Sequence, residues 1–235
     1  MTRVFAINGS ARMEKGYTAM ILEAFLKGMQ EAGAQTELFY AKRLNVKACT
    51  GEFYCWNEKL GECYINDSMQ LVYSKLRQAD MLVLATPVYI PLPGEMQNFF
   101  NRLCPLIDPI LSKRNGRTRA RFHKNVKIKS IALVSVCGWW EKGNFSTVLR
   151  IAKEIARDAN VKFAGAVLRP HAFLLAKYKE KAKEILKATK QAGFQLVRKG
   201  AISKDLLDLV AQPLISEEDF RNKENDAYLS LKRSL

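Results

Sequence analysis

The chain has 235 residues, enough for one sizeable α/β domain with or without appendages. Hydrophobic residues make up 48% and charged residues 26%, a balance that is typical of a globular protein and excludes a disordered one. No apolar run approaches the roughly 18 residues needed to cross a bilayer, and the N-terminus lacks the pattern of a signal peptide. We therefore expect a cytoplasmic protein, with no membrane partner, whose five cysteines stay reduced.

Hydrophobic periodicity predicts alternating strands and helices. Five short apolar runs are expected to be strands: residues 4–7, 36–40, 81–85, 128–136 and 161–168. Apolar residues at helical spacing predict helices that begin near four positions: Thr18, Met69, Gly94 and Ser146. Continuous apolar strands joined by helices are typical of a parallel sheet covered on both faces. The sequence therefore predicts an α/β protein with a doubly wound five-stranded parallel sheet.

The C-terminal part is expected to be helical. Residues 178–198 predict one long amphipathic helix, and Ser203 and Ser216 are each typical of an N-cap. We divide the chain into a domain of residues 1–199 and a helical C-terminal extension of residues 200–235. Four residues of the extension are too apolar for a free tail: Leu206, Leu207, Leu209 and Val210. They should pack on a neighbouring subunit or on the chain's own helices, and we favour the neighbouring subunit.

The net charge of +15 comes largely from two stretches. Residues 113–129, predicted as a long loop, contain eight Lys/Arg and no acid, and residues 177–199 contain eight Lys/Arg and two acids. Clustered cations can bind nucleic acid, attract an anionic pyridine nucleotide or form a solvated surface. We favour the solvated surface and do not expect a nucleic-acid partner.

The loop after the first strand, residues 9–18, carries the groups of a phosphate site. It offers hydroxyls at Ser10 and Thr18, a guanidinium at Arg12, and backbone amides that enter a helix N-terminus. It contains neither the Lys-Ser/Thr pair of a Walker loop nor the Gly-x-Gly-x-x-Gly motif. The same residues would also form a polar loop that merely caps the helix, and both readings stay open.

Apolar residues follow the third and fourth strands, where solvent-facing side chains would be expected. Four of them follow the third strand: Pro87, Val88, Tyr89 and Ile90. Their apolar character would be explained by a flat heteroaromatic ligand that covers them, or by packing on the next helix. After the fourth strand comes Cys137-Gly138-Trp139, in which the glycine permits close backbone approach and the tryptophan could be a core, lid or ligand residue. Since ligands of open α/β sheets bind beyond the carboxyl ends of the strands, the three loops together predict a binding site.

These motifs resemble a known family. Gly-Ser-Ala-Arg at 9–12, Gly-Tyr-Thr at 16–18 and Thr-Pro-Val-Tyr at 86–89 resemble the NADPH-dependent FMN reductase-like branch of the flavodoxin-like flavoproteins. Within that branch, Ala-Cys-Thr-Gly-Glu-Phe-Tyr-Cys at 48–55 with a later Cys63 resembles the iron–sulfur flavoproteins. The resemblance covers roughly the first 170 residues and implies a flavodoxin-like fold, bound FMN and NAD(P)H as co-substrate.

The resemblance also implies which residues hold the FMN. Four would surround its phosphate: Ser10, Arg12, Tyr17 and Thr18. Four would line the isoalloxazine ring, with backbone amides toward its polar edge: Pro87, Val88, Tyr89 and Ile90. Three would close the other side of the ring: Cys137, Gly138 and Trp139. No catalytic side chain is required, because the flavin itself carries the chemistry.

Residues 47–67, here called the cysteine loop, depart from the iron–sulfur pattern. A cluster usually takes four thiolates, but Glu52 stands at the second cysteine position and leaves Cys49, Cys55 and Cys63. Glu52 as an oxygen ligand, or zinc held by three cysteines and a carboxylate, stays open. We expect that the cluster has been lost and that no metal is bound. Cys104 is interpreted as a core residue.

The sequence thus predicts an FMN-dependent oxidoreductase that passes a hydride or electrons from NAD(P)H to a small acceptor such as a quinone or a flavin. The alternative is a flavodoxin-like electron-transfer or redox-responsive binding protein without small-molecule turnover. The basic charge favours nucleotide use, because flavodoxin-type carriers are usually acidic. The apolar residues after the third strand would face water in a monomer. We therefore also expect a homo-oligomer, in which a second subunit covers them. His123 and His171 show no partners of a catalytic histidine.

Overall fold

A computed structural model of the protein describes residues 1–234. The strands are β1 Arg3–Asn8, β2 Gln35–Tyr40, β3 Met81–Pro87, β4 Ile107–Arg114, β5 Arg117–Phe122, β6 Ser130–Val136 and β7 Lys162–Arg169. The α-helices are α1 Tyr17–Glu31, α2 Ala41–Leu44, α3 Tyr54–Asn57, α4 Met69–Gln78, α5 Gly94–Asn101, α6 Ser146–Asp158, α7 Lys179–Lys199, α8 Lys204–Ala211 and α9 Glu217–Arg233. Within residues 1–234, no helix combines the length and apolar character needed to cross a membrane.

Five strands form one parallel sheet in the order β2-β1-β3-β6-β7. This is the order of flavodoxin-like doubly wound sheets, in which the chain first moves to one side of β1 and then to the other. Helices α1 and α7 cover one face, and α4, α5 and α6 cover the opposite face. The predicted fold class and the five predicted strands are confirmed.

Each central strand contributes to two cores, because successive side chains point to opposite faces of the sheet. In β1, Val4 and Ala6 pack against α1 and α7, whereas Phe5 and Ile7 pack against α4 and α5. All four side chains are at most 2% exposed. This explains why the strands read as continuous apolar runs in the sequence.

Helices α1 and α7 cross at unusually close range, which two glycines permit. A Cβ atom on Gly28 would lie 1.7 Å from Lys190 O, and a Cβ atom on Gly193 would lie 2.0 Å from Phe25 O. No side chain fits into either gap without separating the helices. The contact fixes the position of α1, and the loop that precedes α1 belongs to the candidate site.

The basic stretch 113–129 is not the long loop that we predicted. Its first ten residues, 113–122, belong to an antiparallel hairpin of β4 and β5. The two strands are joined by Asn115 and Gly116, whose φ angles are 47° and 75°. Positive φ at both central residues is the geometry of a type I′ turn, for which Asn-Gly is the preferred sequence. The cations of residues 113–122 are therefore held on the two strands of a hairpin and not on an irregular loop.

The C-terminal extension begins as part of the folded body. Leu206 and Leu207 pack against the core formed with α7, Val210 is completely buried, and Leu209 remains exposed. Leu206, Leu207 and Val210 therefore pack on the chain's own helices and not, as we expected, on a neighbouring subunit, because α8 lies against α7 and β7. Phe220 is the last buried residue among residues 1–234, and the part of α9 after it is mostly exposed. The boundary at residue 199 stays a prediction.

Candidate functional site

Three loops meet at the carboxyl edge of the sheet because they follow neighbouring strands. Asn8 at the end of β1 lies opposite Ala85 of β3, and Pro87 at the end of β3 lies opposite Val136 at the end of β6. The loops after these strands therefore start side by side. The pair β1 and β3 also marks the point where the strand order reverses, which is where open α/β sheets bind ligands.

The loop after β1 is folded by its own hydrogen bonds. The amide of Ser10 donates to Asn8 Oδ1 at 2.8 Å, and the Ser10 hydroxyl accepts from the Arg12 amide at 3.3 Å. Ser10 is buried, whereas Arg12 is exposed and its guanidinium lies 5.9 Å from the centre of the Tyr17 ring. A guanidinium and a hydroxyl are thus held in one turn.

Helix α1 begins directly after this turn, with Gly16 at its N-cap and no side chain among the described residues capping its first amides. Thr18, in the first helical turn, is buried. The Ala19 amide donates to Gly16 O at 3.0 Å, and the amides of Tyr17 and Thr18 have no partner among residues 1–234. These two amides and the helix dipole favour an anion at this position. The structure therefore brings the four predicted phosphate residues into one loop and one helical turn.

Residues 87–90 form an apolar ledge next to that loop. The Val88 amide donates to Val136 O at 2.8 Å, and the Tyr89 amide donates at 3.0 Å to the carbonyl two residues further on. These two amides are occupied within the protein, so the expectation that amides here face a ligand does not apply to them. The side chains of Tyr89 and Ile90 are exposed, that of Ile90 completely.

The loop after β6 has a buried part and an exposed part. The Cys137 thiol lies in the core, where it donates to Trp139 O at 3.3 Å, and burial raises its pKa to about 11. The thiol therefore stays protonated at neutral pH. Gly138 and Trp139 are exposed. Cys137 thus lies beneath the candidate site, and the two residues after it can face a ligand.

A buried arginine at the end of β7 was missed by the sequence analysis. Arg169 is completely buried, and burial lowers its pKa to about 10, so it remains a cation. Its guanidinium donates to the Nε2 atom of His171 at 2.8 Å. It also donates to three carbonyl oxygens, those of Pro170 at 2.8 Å, Val210 at 2.7 Å and Gln212 at 2.8 Å.

His171 joins this arginine to the loop after β6. Its Nε2 also accepts from the Leu214 amide at 3.2 Å, and its ring stacks on Trp140 with a centroid distance of 6.2 Å. Trp140 in turn donates to Ile215 O at 3.3 Å. Burial, and then the charge of Arg169, lower the pKa of His171 to about 4. These partners are a guanidinium, a backbone amide and an indole, so His171 has a structural environment, and the expectation that it lacks the partners of a catalytic histidine stays a prediction.

Four of the cysteines line one cavity of about 320 Å³ at the cysteine loop: Cys49, Cys55, Cys63 and Cys104. Cys104 faces this cavity and is only half-buried, and burial raises its pKa to about 12. The Glu52 carboxylate, which also lines the cavity, is bonded by the Thr50 hydroxyl. Within residues 1–234, no group of three or more His, Cys, Asp or Glu side chains has an arrangement that could hold a metal ion.

Comparison with known proteins points to one family. The profile of the family described as NADPH-dependent FMN reductase matches residues 2–173. An iron–sulfur flavoprotein of Methanocaldococcus jannaschii is 32% identical over 126 residues, which are 54% of this chain and 55% of that protein. An iron–sulfur flavoprotein of Archaeoglobus fulgidus is 30% identical over 101 residues, which are 43% of this chain and 48% of that protein. The chain thus spans about half the length of these curated relatives.

Solved structures share the fold at low sequence identity. An NAD(P)H:quinone oxidoreductase from Methanothermobacter marburgensis has a TM-score of 0.59 and 17% identity, with 83% of this chain and 96% of the other covered. An FMN-dependent NADH-azoreductase from Bacillus anthracis, solved in complex with FMN, has a TM-score of 0.59 and 11% identity, with 84% and 100% covered. At this identity the likeness shows the fold alone.

Proposed function

Because the chain belongs to the NADPH-dependent FMN reductase family, as its motifs predicted, we propose that it is an FMN-dependent oxidoreductase. It would take a hydride from NAD(P)H and pass the electrons to a small acceptor such as a quinone or a flavin. One observation carries the proposal. An uncapped helix N-terminus with an adjacent arginine lies next to an exposed apolar ledge, at the reversal point of the sheet.

The loop after β1 fits the phosphate of FMN. Arg12 supplies a charge, Ser10 and Thr18 supply hydroxyls, and α1 begins at the end of the same loop. The Tyr17 ring beneath the guanidinium restricts where that cation can go. The sequence shows one such loop and no dinucleotide-type glycine motif beside it, which suits a mononucleotide and not a dinucleotide.

The ledge and the loop after β6 fit the isoalloxazine ring. Tyr89 and Ile90 expose apolar area on one side, and Gly138 and Trp139 expose a glycine backbone and an indole on the other. Large side chains left in water are typical of surfaces that a ligand or subunit covers.

Bound FMN would supply the redox chemistry, accepting two electrons from NAD(P)H and releasing them to the acceptor. The protein's task is then to orient the ring and to leave one face open. Cys137 is excluded as a nucleophile by its buried, protonated thiol. A planar, apolar acceptor fits the exposed surface around Trp139 better than a charged one would.

The phosphate assignment is tested with the double variant Arg12→Ala/Thr18→Ala. A hydrogen bond to a charged group contributes about 1.5–3 kcal/mol, so FMN affinity should fall at least about tenfold. Lys204→Ala, which also removes one exposed charge but at the start of α8, serves as the control. If the double variant binds FMN as tightly as the control, measured by quenching of flavin fluorescence, the assignment is wrong.

Turnover is tested with the FMN-loaded protein. Oxidation of NADH and NADPH is followed by absorbance with a benzoquinone or free FMN as acceptor. Acceptor-dependent oxidation supports the enzyme. Bound FMN with no oxidation of either nucleotide would instead favour the electron-transfer protein without turnover.

The protein is further proposed to work in the cytoplasm as a homo-oligomer. All five cysteines are free thiols, which suits a reducing compartment. The ledge exposes Tyr89 and Ile90, and the outer part of α9 exposes Tyr228, Leu229 and Leu231. Light scattering on the full chain tests the assembly, and a monomeric mass would refute it.

A further inference from the structure

A basic groove lies between the β4–β5 hairpin and helix α6, away from the candidate FMN site. It encloses about 620 Å³, and five cations line it: Arg114, Arg117, Arg119, Lys153 and Arg157. Helix α6 ends at Asp158 and β7 starts at Lys162, so the groove lies at the amino edge of the sheet. The three loops of the candidate site lie at the carboxyl edge.

The carboxylates near the groove neutralise only part of this charge. Glu154 pairs with both Arg117 at 3.4 Å and Arg157 at 2.6 Å, and Asp158 pairs with Arg119 at 2.5 Å. Two carboxylates therefore face five cations. The groove retains about three positive charges in a volume typical of small-molecule sites.

The hairpin places like charges where they repel each other. Arg114 and Arg117 are directly opposed across the two strands, an arrangement that destabilises an antiparallel pair. The Arg114 guanidinium is turned toward the carbonyls of Ala120 and Asp158, yet its Nη1 atom is buried without a partner among the described residues. A bound anion would reduce the repulsion between the two arginines.

Lys153 adds a further cation to the same surface. Its ammonium lies 5.9 Å from the centre of the Phe163 ring, which also lines the groove. The five cations thus line a single concave volume together with one aromatic ring. A ligand with several linked phosphates and a compact body suits this shape better than an extended strand.

The geometry points to a second anion site in this groove, which takes a phosphate chain of the size found in a nucleoside triphosphate. Guanidinium groups bind phosphate oxygens in a bidentate manner, and four of the five cations are arginines. This site is distinct from the one proposed for FMN, so it does not depend on the proposed oxidoreductase activity.

The test uses FMN-saturated protein, so that the loop after β1 is occupied, with inorganic tripolyphosphate and ATP as probes in calorimetry. Arg117→Gln/Lys153→Gln removes two exposed groove cations, and Lys179→Gln/Lys187→Gln removes two exposed cations from α7 as the matched control. We expect the groove variant to lose at least about tenfold in affinity and the control to lose less than about twofold. Unchanged FMN binding and circular dichroism confirm that both variants fold.

Three outcomes decide against the proposal. Equal losses in the two variants would show attraction by net charge alone. Absence of binding at about 50 mM salt would show that the groove holds no phosphate chain. An oligothymidylate of about 12 nucleotides that binds more tightly than tripolyphosphate, with a steep salt dependence, would show that the surface serves nucleic acid instead.

Discussion

Replacing His171 by glutamine should remove a pH-dependent part of the protein's stability. In the folded state, the Nε2 atom accepts hydrogen bonds from the Leu214 amide and the Arg169 guanidinium. Protonation would turn this acceptor into a donor facing two donors. A glutamine carbonyl oxygen can accept in place of Nε2 but does not titrate.

The size of the effect follows from the pKa of His171, which is lowered from 6.5 to about 4. A histidine whose pKa is lowered by folding stabilises the protein while it is neutral, and this contribution falls as pH drops below the unfolded value of 6.5. From these two pKa values, about 2 kcal/mol of the free energy of unfolding should be lost between pH 7 and pH 5. The loss should level off below about pH 4.

Urea unfolding of the parent and of His171→Gln at pH 7 and pH 5 measures this difference. Carboxylates titrate in both proteins, so the difference between their pH dependences isolates His171. We expect the parent to lose about 2 kcal/mol more than the variant between pH 7 and pH 5. Equal losses would refute the reasoning, because they would show that His171 does not stay neutral in the folded protein.

Three further predictions concern the rest of the fold. Gly28→Ala should destabilise the protein by about 1–3 kcal/mol or more in urea unfolding, because its Cβ would meet Lys190 O at 1.7 Å; Gly143→Ala, with open space around it, should change stability by less than about 0.5 kcal/mol. Asp67→Asn should cost about 3–5 kcal/mol in the same assay, because it leaves the Arg102 guanidinium, 1% exposed, without its carboxylate partner. Iron and acid-labile sulfide should stay well below one cluster per chain after anaerobic reconstitution, and near-stoichiometric amounts would contradict the loss of the cluster.

The positions of the strands and of the three site loops could be read from the sequence because both depend on local signals. A buried parallel strand is a continuous apolar run, and the residues that follow it must lie at one edge of the sheet. The hairpin also had a local signal in Asn115-Gly116, flanked by alternating residues such as Arg117, Arg119 and Arg121. The high charge of this stretch hides the two strands, because they do not form the apolar runs that mark the strands of the parallel sheet.

The contact between the end of β7 and the C-terminal extension had no such signal. Arg169 binds Val210 O and Gln212 O, and nothing in the sequence around an arginine indicates that backbone carbonyls some 40 residues away will surround it. Those carbonyls are available because α8 ends at Ala211 and leaves its last acceptors without intrahelical partners. The arginine therefore stabilises the end of a helix and, through His171, the loop that carries Trp139.

The burial of Cys137 could have been predicted, although the family resemblance pointed elsewhere. Side chains of a strand alternate between the two faces of the sheet. Along β6, Ile131 and Leu133 lie in the core beneath α5 and α6, and Ala132 and Val134 lie in the core beneath α1 and α7. Residue 137 has the parity of Ile131 and Leu133, so its thiol lies in the same core as theirs. The alternation of β6 therefore shows that the Cys137 side chain points into the core. At such a position only the backbone can reach a ligand, even where the residue belongs to a binding motif.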